Sequence, residues 1–410
     1  MIAVFLAPLY ILVNAYLFCK IMWWFKSWFP AFEKKKYWIL PTILYVFFAL
    51  SFLIAFFLPA GHFRRIMKLI GNYWLGVLLY IALTIIIVDL ARIIIVRVLK
   101  IKFTSKRSNQ IHRFVGIFCS VVIIATSILG VINARIIRVT SYDITVDKEA
   151  GDMDSMKVVL VADLHLGYNI GVSQMQRMVD KINKQDADLV VIAGDIFDNE
   201  WEAVGEPDKL ARVLRGIKSK YGVYACYGNH DIEEPILAGF TFGGKDKKQS
   251  SIEMDEFLEN AGIKLLKDEA VMIDDEIYLY GRPDARRPGR GITKRKTPSE
   301  ITASMDKDKP IIVIDHEPSQ LKALAKAGVD VDLCGHTHDG QLFPGNLTIK
   351  LMWENAYGYL KKGKMHNIVT SGVGLFGPNM RVGTKSEISV VNIHSVSYTH
   401  LRAHETEADL

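Results

Sequence analysis

Lys157-Val158-Val159-Leu160-Val161-Ala162-Asp163-Leu164-His165-Leu166-Gly167 is the stretch on which the fold turns. Its first half is a short, valine-rich apolar run, which predicts a buried β-strand and not a helix. The run stops at Asp163 and His165, two metal-ligand types with one residue between them. On a strand, positions i and i+2 face the same way. The spacing therefore predicts that both side chains aim at one point past the strand's carboxyl end, where open α/β sheets usually hold their sites. Taken alone, Asp-x-His is more often a strand end with two solvated polar residues. The weight comes from what surrounds it.

Working outward, residues 139–146 read as an edge strand leading in. Downstream, 172–184 has Val172, Met175, Val179 and Ile182 at helical spacing, and 188–193 is a second apolar strand ending in Gly194-Asp195-Ile196-Phe197-Asp198. A helix at about 208–218 leads to a third strand, 222–227, which ends in Gly228-Asn229-His230-Asp231. Residues 251–261 read as a helix, and 270–273 and 276–280 as strands. Strand 310–314 ends in Asp315-His316-Glu317-Pro318. A helix near 319–327 precedes strand 331–333, which ends in Cys334-Gly335-His336-Thr337-His338; strand and loop follow through 367–371 and 387–393. Strands alternating with helices predict an α/β domain with a right-handed, mostly parallel sheet.

The chain has 410 residues, a net charge of +6 and 50% hydrophobic residues, unevenly spread. Four apolar runs, at about 2–25, 37–58, 73–96 and 114–134, are each long enough to cross a bilayer as a helix. The first lacks a small-residue cleavage site and is followed by three more, so it is not read as a cleaved leader. Trp23, Trp24, Trp28, Tyr37, Trp38, Tyr73 and Trp74 cluster at the ends of the runs, as interfacial rings do. Lys26, Lys34, Lys35 and Lys36 fill the first loop; Arg97, Lys100, Lys102, Lys106, Arg107 and Arg113 fill the third. The second has only Arg64, Arg65 and Lys68. This bias puts the first and third loops in the cytoplasm and everything after the fourth helix outside, with Arg135 and Arg138 weighing the other way. Asp89 and Arg92, at i,i+3, read as a mutual pair with Arg92 reaching the interface, and Asn14 and Lys20 likewise as structural and not as a transport path. Cys19, Cys119, Cys226 and Cys334 have neither zinc-site nor redox spacing and imply no disulfide framework.

Five strand ends thus carry Asp163/His165, Asp195/Asp198, Asn229/His230, His316 and His336/His338. In that order they resemble the calcineurin-like metallophosphoesterases, whose pattern is Asp-x-His, Gly-Asp-x-x-Asp, Gly-Asn-His-Asp/Glu, a lone His and Gly-His-x-His. Within that family the chain looks most like the membrane-anchored bacterial branch; Gly335 to Gln341 and the later Gly372-Val373-Gly374 fit it, with Asp339 standing where glycine is expected. The resemblance covers about 139–393 and matches the membrane part only in kind. With the four apolar runs read as transmembrane helices at 1–134 and a juxtamembrane linker and edge strand at 135–156, the resemblance implies a four-layer α/β/β/α catalytic sandwich at 157–394.

It also implies a site. Two divalent ions held about 3.5–4 Å apart supply a hydroxide at neutral pH and clamp phosphoryl oxygens. By the family pattern Asp195 bridges them, Asp163, His165 and His338 complete one site, and Asn229, His316 and His336 complete the other. Carboxylate and imidazole together suit manganese, iron or zinc better than calcium or magnesium. Asp198 and Asp231 fall outside the ligands, and Asp198 would orient one of them. His230 matches the family's histidine that binds no metal, steadies the phosphoryl group and protonates the leaving oxygen.

The implied activity is a membrane-anchored phosphoesterase cleaving phosphodiester or related bonds, on a substrate derived from lipid or the cell envelope. The alternatives are a pyrophosphatase acting on a nucleotide-linked lipid precursor and a metal-binding membrane sensor without catalysis. No specific nucleic acid is expected as a partner; membrane lipid is. The proline- and glycine-rich loop 282–296 carries Arg282, Arg286, Arg287, Arg290, Lys294, Arg295 and Lys296. Either it receives a polyanionic substrate or lipid headgroup, with Arg282, Arg286 and Arg287 as contacts, or it is a solvated surface loop. Residues 396–406 match one reading frame of a common sequencing adaptor, so 395–410 are expected not to fold with the domain.

Overall fold

The computed structural model describes residues 2–234, 236–237, 240–241 and 249–396; most of the expected adaptor tail, 397–410, lies outside these. The chain divides into two compact units: 1–132 with 236–241 and 377–380, and the remainder.

The first unit holds four long helices, α1 (Ile2–Trp28), α2 (Ile39–Phe57), α3 (His62–Ile93) and α4 (Ser105–Ala134). Each supplies an apolar stretch long enough to cross a membrane. At 32 residues α3 is about 48 Å long, well beyond the ~30 Å hydrocarbon layer. Arg64, Arg65 and Lys68 accordingly lie in its first two turns and not in a loop. Asp89 does not pair with Arg92 alone, as its i,i+3 spacing predicted. Its carboxylate takes Lys20 of α1 (Nζ to Oδ2 2.6 Å, to Oδ1 2.8 Å) and the Tyr16 hydroxyl. A neighbouring helix brings an ammonium within contact distance, which no spacing along α3 reveals. Asn14 is likewise a helix-to-helix tie: Tyr45 Oη donates to its Oδ1 (3.1 Å), and its own Nδ2 donates to Tyr10 O (2.8 Å). These bonds satisfy polar groups that lipid would leave bare.

The second unit has two six-stranded mixed sheets, each mostly parallel, where the strand–helix alternation alone predicted one. The strands are β1 (Ile137–Val146), β2 (Ser155–Val161), β3 (Leu189–Ala193), β4 (Val223–Cys226), the short hairpin β5 (Ile236–Leu237) and β6 (Phe240–Thr241) that groups with the helices, β7 (Ile263–Leu265), β8 (Glu269–Ile273), β9 (Ile277–Arg282), β10 (Ile311–Asp315), β11 (Val331–Cys334), β12 (Gly358–Lys362), β13 (Met365–Val369) and β14 (Ser386–Ser395). The first sheet runs β1-β14-β2-β3-β4-β7, with only β14 against β2 antiparallel. The second runs β12-β13-β11-β10-β9-β8, parallel at its centre and antiparallel at both edges. Strands β7 and β12 were not legible: the first is three residues long, and the second alternates half-buried with exposed residues.

Alternating side chains make the layers. Val158 and Leu160 of β2 meet Leu279, Ile312, Ile314 and Leu333 between the sheets. Val159 and Val161 face the other way, against helices α5 (Val172–Ile182), α6 (Pro207–Arg215) and α7 (Ile252–Asn260) through Met175, Leu210 and Phe257. On the far side Ile311 and Val313 pack under α8 (Pro298–Thr302) and α9 (Leu321–Ala327) through Ile301, Leu321 and Leu324. The result is α/β/β/α. A strand buried on both faces must be apolar throughout, which is why the opening stretch reads as an unbroken run. Two helix starts are locally encoded: Ser251 Oγ accepts from Met254 N at α7, and Thr297 and Glu300 form a capping box at α8.

Candidate metal centre

All five predicted strand ends arrive at one place. Asp163 and His165 follow β2, Asp195 follows β3, Asn229 and His230 follow β4, His316 follows β10, and His336 and His338 follow β11. Three come from one sheet and two from the other.

The alternation argument for Asp163 and His165 does not survive. Both lie beyond β2 in left-handed backbone, at φ 54° and 46°, and their N–H groups donate to Gly194 O and Asp195 O (3.0 Å each). Asp195 (50°), His336 (73°) and His338 (51°) adopt the same conformation. For residues other than glycine this costs on the order of 1 kcal/mol each and persists only where the surroundings impose it. Asp339 is also left-handed, at φ 51°, which is why glycine was expected there and why Asp, one of the few residues to tolerate that region, replaces it.

The side chains form two groups. In one, His165 Nε2 lies 3.1 Å from His338 Nε2, and His338 Nε2 lies 3.6 Å from Asp163 Oδ1. In the other, His316 Nε2 is 3.1 Å from Asp195 Oδ2, from Asn229 Oδ1 and from His336 Nδ1. Asp195 Oδ2 also lies 3.7 Å from His165 Nε2, so one oxygen faces both groups. Donors bound at about 2.1 Å around a tetrahedral ion stand roughly 3.4 Å apart, so each group has the span of an ion's ligand shell.

The electrostatics agree. Burial, with Asp195 beside it, pushes the Asp163 carboxyl up to about 6. Burial also works against charge on Asp195, yet His316 and His230 outweigh it and hold that carboxyl well below its usual range. Burial disfavours charge on His316 and His165 too, but Asp195 with Asp163 raises the first, and Asp198 with Asp195 raises the second, so both imidazoles protonate more readily than usual. Burial and the neighbouring imidazoles lower His336 to about 3, and burial and His165 hold His338 well below the usual histidine range. Carboxylates that need protons on two histidines for balance, beside bare imidazole nitrogens, are a donor set suited to cations.

The surroundings fix the donors. Asp198 Oδ1 lies 3.5 Å from His165 Nδ1, on the side away from His338. Ala193 O lies 2.8 Å from His316 Nδ1, turning Nε2 inward. His336 N–H donates to both Asp163 oxygens (3.1 Å each). A Cβ at Gly228 would meet the Asp195 carboxylate and the His316 ring, and one at Gly372 would lie 2.7 Å from Asp163 Cβ. Asp231 touches none of the donor side chains named above; it accepts from Phe197 N (2.8 Å) and Gly228 N (2.7 Å), tying the turn after β3 to the turn after β4. Burial, then Asp195, raises its carboxyl to about 7.

His230 borders the first group: its ring lies 5.1 Å from that of His165, and with His165 and Asp198 it makes a third cluster of potential donors. The His230 N–H donates to Asp195 Oδ1 (2.8 Å), its Nδ1 meets Asn199 Oδ1, and its ring lies 4.6 Å from that of Phe376. Burial lowers its pKa to about 4. Asn199, Phe376, Trp353 (5.1 Å from the His336 ring) and the buried Arg381, whose Nη1 donates to His338 O (3.1 Å), were all missed. They lie outside the five motifs, and nothing in the sequence marked them.

The basic loop is mostly self-absorbed. Arg282 is buried, bound to Asp315 (2.7 Å) and to Gln320, and so is not a surface contact. Arg287 donates to Asn229 O (2.8 Å) and pairs with Glu234 (2.9 Å). Arg290 binds Ser250 O, Arg295 binds Asp315 and Pro283 O, and Lys296 binds Asp268 O. Arg286 is exposed.

Residues 156–340 match the family described as calcineurin-like phosphoesterase. A transmembrane protein with metallophosphoesterase domain from Danio rerio is 31% identical over 272 residues, 64% of this chain and 59% of its own length. An uncharacterized metallophosphoesterase of Helicobacter pylori is 28% identical over 274 residues, 64% of this chain and 65% of its own. The chain thus spans less than two thirds of these relatives. The purple acid phosphatase from yellow lupin seeds superposes with a TM-score of 0.37 at 12% identity, over 62% of this chain and 56% of that one. The second unit of this membrane protein is a calcineurin-like metallophosphoesterase domain.

Proposed function

We propose that the chain is a two-metal, membrane-anchored phosphoesterase acting on phosphodiester or related bonds, on a substrate derived from lipid or the cell envelope. The observation that carries this reading is Asp195: one carboxylate oxygen faces the donors of both groups, as a bridging ligand must. Asp163, His165 and His338 hold one ion with it; Asn229, His316 and His336 hold the other. The donor set suits manganese, iron or zinc. When bound, such a pair supplies an activated hydroxide and charge for the phosphoryl oxygens.

This chain's own residues do the rest. His230 lies next to Asp195 without joining either donor group. Asn199 Oδ1 engages its Nδ1, which leaves Nε2 as the atom to meet substrate; with its pKa lowered to about 4 the ring is neutral in the free site, so Nε2 donates to the leaving oxygen only after the charge of a bound phosphate has drawn a proton onto it. Phe376 packs against the ring. Asp198 orients His165, and Asp231 fixes the turns that carry Asp195 and Asn229. Arg287 holds the Asn229 carbonyl, and Arg286 is the arginine of the original three left to greet a phosphate. The loop charges favour a catalytic domain outside the cytoplasm of a multi-pass cell-membrane protein, with helices at 1–134 and the catalytic domain at 157–394.

The experiment is metal analysis of the purified full chain, then hydrolysis of bis(4-nitrophenyl) phosphate and of 4-nitrophenyl phosphate with manganese. Close to two ions per chain and faster cleavage of the diester are expected. One ion, or none with turnover intact under chelation, overturns the two-metal reading; preference for the monoester overturns the diesterase reading alone.

A further inference from the structure

The opposite end of the second sheet carries a different site. A cleft of about 430 Å³ opens at the amino-terminal ends of β10, β11 and β13, beside the last turn of α9. Six lysines line it: Lys148, Lys307, Lys322, Lys326, Lys362 and Lys364. They come from separate segments: the turn after β1, the loop before β10, α9 and the turn between β12 and β13. The lining has one carboxylate, Asp330, and it is already committed. It binds Lys148 Nζ at 2.5 Å and accepts from Ile311 N at 2.8 Å. Lys148 also donates to Lys309 O (3.2 Å) and Gly328 O (3.3 Å), which makes it part of the floor. Lys362 is tied to Glu354.

The other four are exposed. Lys322 and Lys326 stand at i,i+4 on one face of α9, an arrangement that costs stability when both carry the same charge. Lys364 has only a loose contact with Asp147, at 3.8 Å between largely exposed groups. The Lys307 stem runs past Gly328, a left-handed residue (φ 97°) whose carbonyl accepts from Lys148. A fold gains nothing from gathering four unspent ammonium groups around one hollow. An anion of several charges does gain, because each ammonium approaches a phosphate oxygen as a mobile point charge. The volume is that of a small-molecule site.

We propose that this cleft binds a ligand bearing clustered phosphate groups, at a site separate from the metal centre. Clustered phosphate is found in soluble polyphosphorylated molecules and, at lower density per molecule, in anionic lipid headgroups, and the test separates the two sources.

The full chain is placed in zwitterionic nanodiscs, stripped of metal with chelator, and titrated with inorganic triphosphate by calorimetry. Binding is expected, weakening as salt is raised. In K322E/K326E it should fall at least tenfold, while hydrolysis of bis(4-nitrophenyl) phosphate by the metal-loaded variant stays within twofold of the parent. D195N should bind triphosphate as the parent does. A second arm repeats the titration in nanodiscs rich in phosphatidylglycerol. Affinity weakened there more than in K322E/K326E itself identifies headgroups as the occupant; unchanged affinity identifies a soluble ligand. No binding to the parent overturns the proposal. So does binding that survives K322E/K326E and is lost in D195N, because the anion was then at the metal centre.

Discussion

The two ends of the second sheet treat charge in opposite ways. At its carboxyl ends, His316, His336 and His338 stand among buried carboxylates, His336 and His338 in left-handed backbone. At its amino ends, lysines project into an open cleft with one carboxylate among them. Both face anions, but by different means. Buried donors at fixed distances suit cations that will polarise a reacting phosphoryl group, and this requires rigidity. Solvated ammonium groups on flexible stems suit a ligand that is held and not transformed. Substitutions at the first end should therefore be costly for chemistry, and those at the second end silent for it.

The largest effect is expected at Asp195. Asp195→Asn removes the charge that the two proposed ions would share, so metal content should fall in both sites and kcat/KM by at least 10³-fold, measured by metal analysis beside steady-state kinetics. A variant that keeps both ions and its activity would break the comparison at its strongest point. His230→Ala comes next. It should keep close to the parent's metal and lose about 10²–10⁴-fold in kcat, less for nitrophenolate leaving groups, which depart without a proton. If it arrives without metal, His230 is a ligand and not a catalyst.

Arg287→Ala is a smaller test. It removes the donor to Asn229 O and the partner of Glu234, and should lower activity roughly tenfold through weaker metal retention, with partial rescue by excess manganese. An equal loss at all manganese concentrations would show that the arginine acts on substrate instead. Between the two ends, Asp332 gives a pH effect on stability. Burial, then Asp315, pushes its carboxyl up to about 7. A carboxyl raised in the folded state stabilises below its unfolded pKa and loses that contribution as pH rises through about 7. Asp332→Asn should therefore raise the melting temperature at pH 8 by a few degrees and have little effect at pH 4. A gain of the same size at both values would leave the buried charge without a role. The smallest effect is the one expected on hydrolysis from K322E/K326E, which is none beyond twofold.

The order of motifs along the chain determined much of this. Five polar strand ends after apolar runs specified an α/β domain, because strand period and burial are properties of neighbouring residues; the seven proposed metal donors came from matching the order of those motifs to the family pattern. The four apolar runs were legible for the same reason: the length needed to span a bilayer can be counted. What the sequence did not determine depends on atoms far apart in it. Asp163 and His165 converge through left-handed backbone past the strand, held by Gly194 and Asp195, and not through alternation within it. Asp89 takes Lys20, 69 positions away. Arg282, read as a surface cation, lies under the loop because Asp315 on the adjacent strand neutralises it. Asn199, Phe376 and Arg381 reached the centre unannounced. The lysine cleft has no sequence signature either: its cations are scattered from 148 to 364 and become one field only when β1, β10, α9 and the β12–β13 turn are brought together. Local pattern fixes which segments are strand, helix or span, since those energies act between near neighbours. Only packing decides which charges meet, because that depends on the distances the tertiary fold sets.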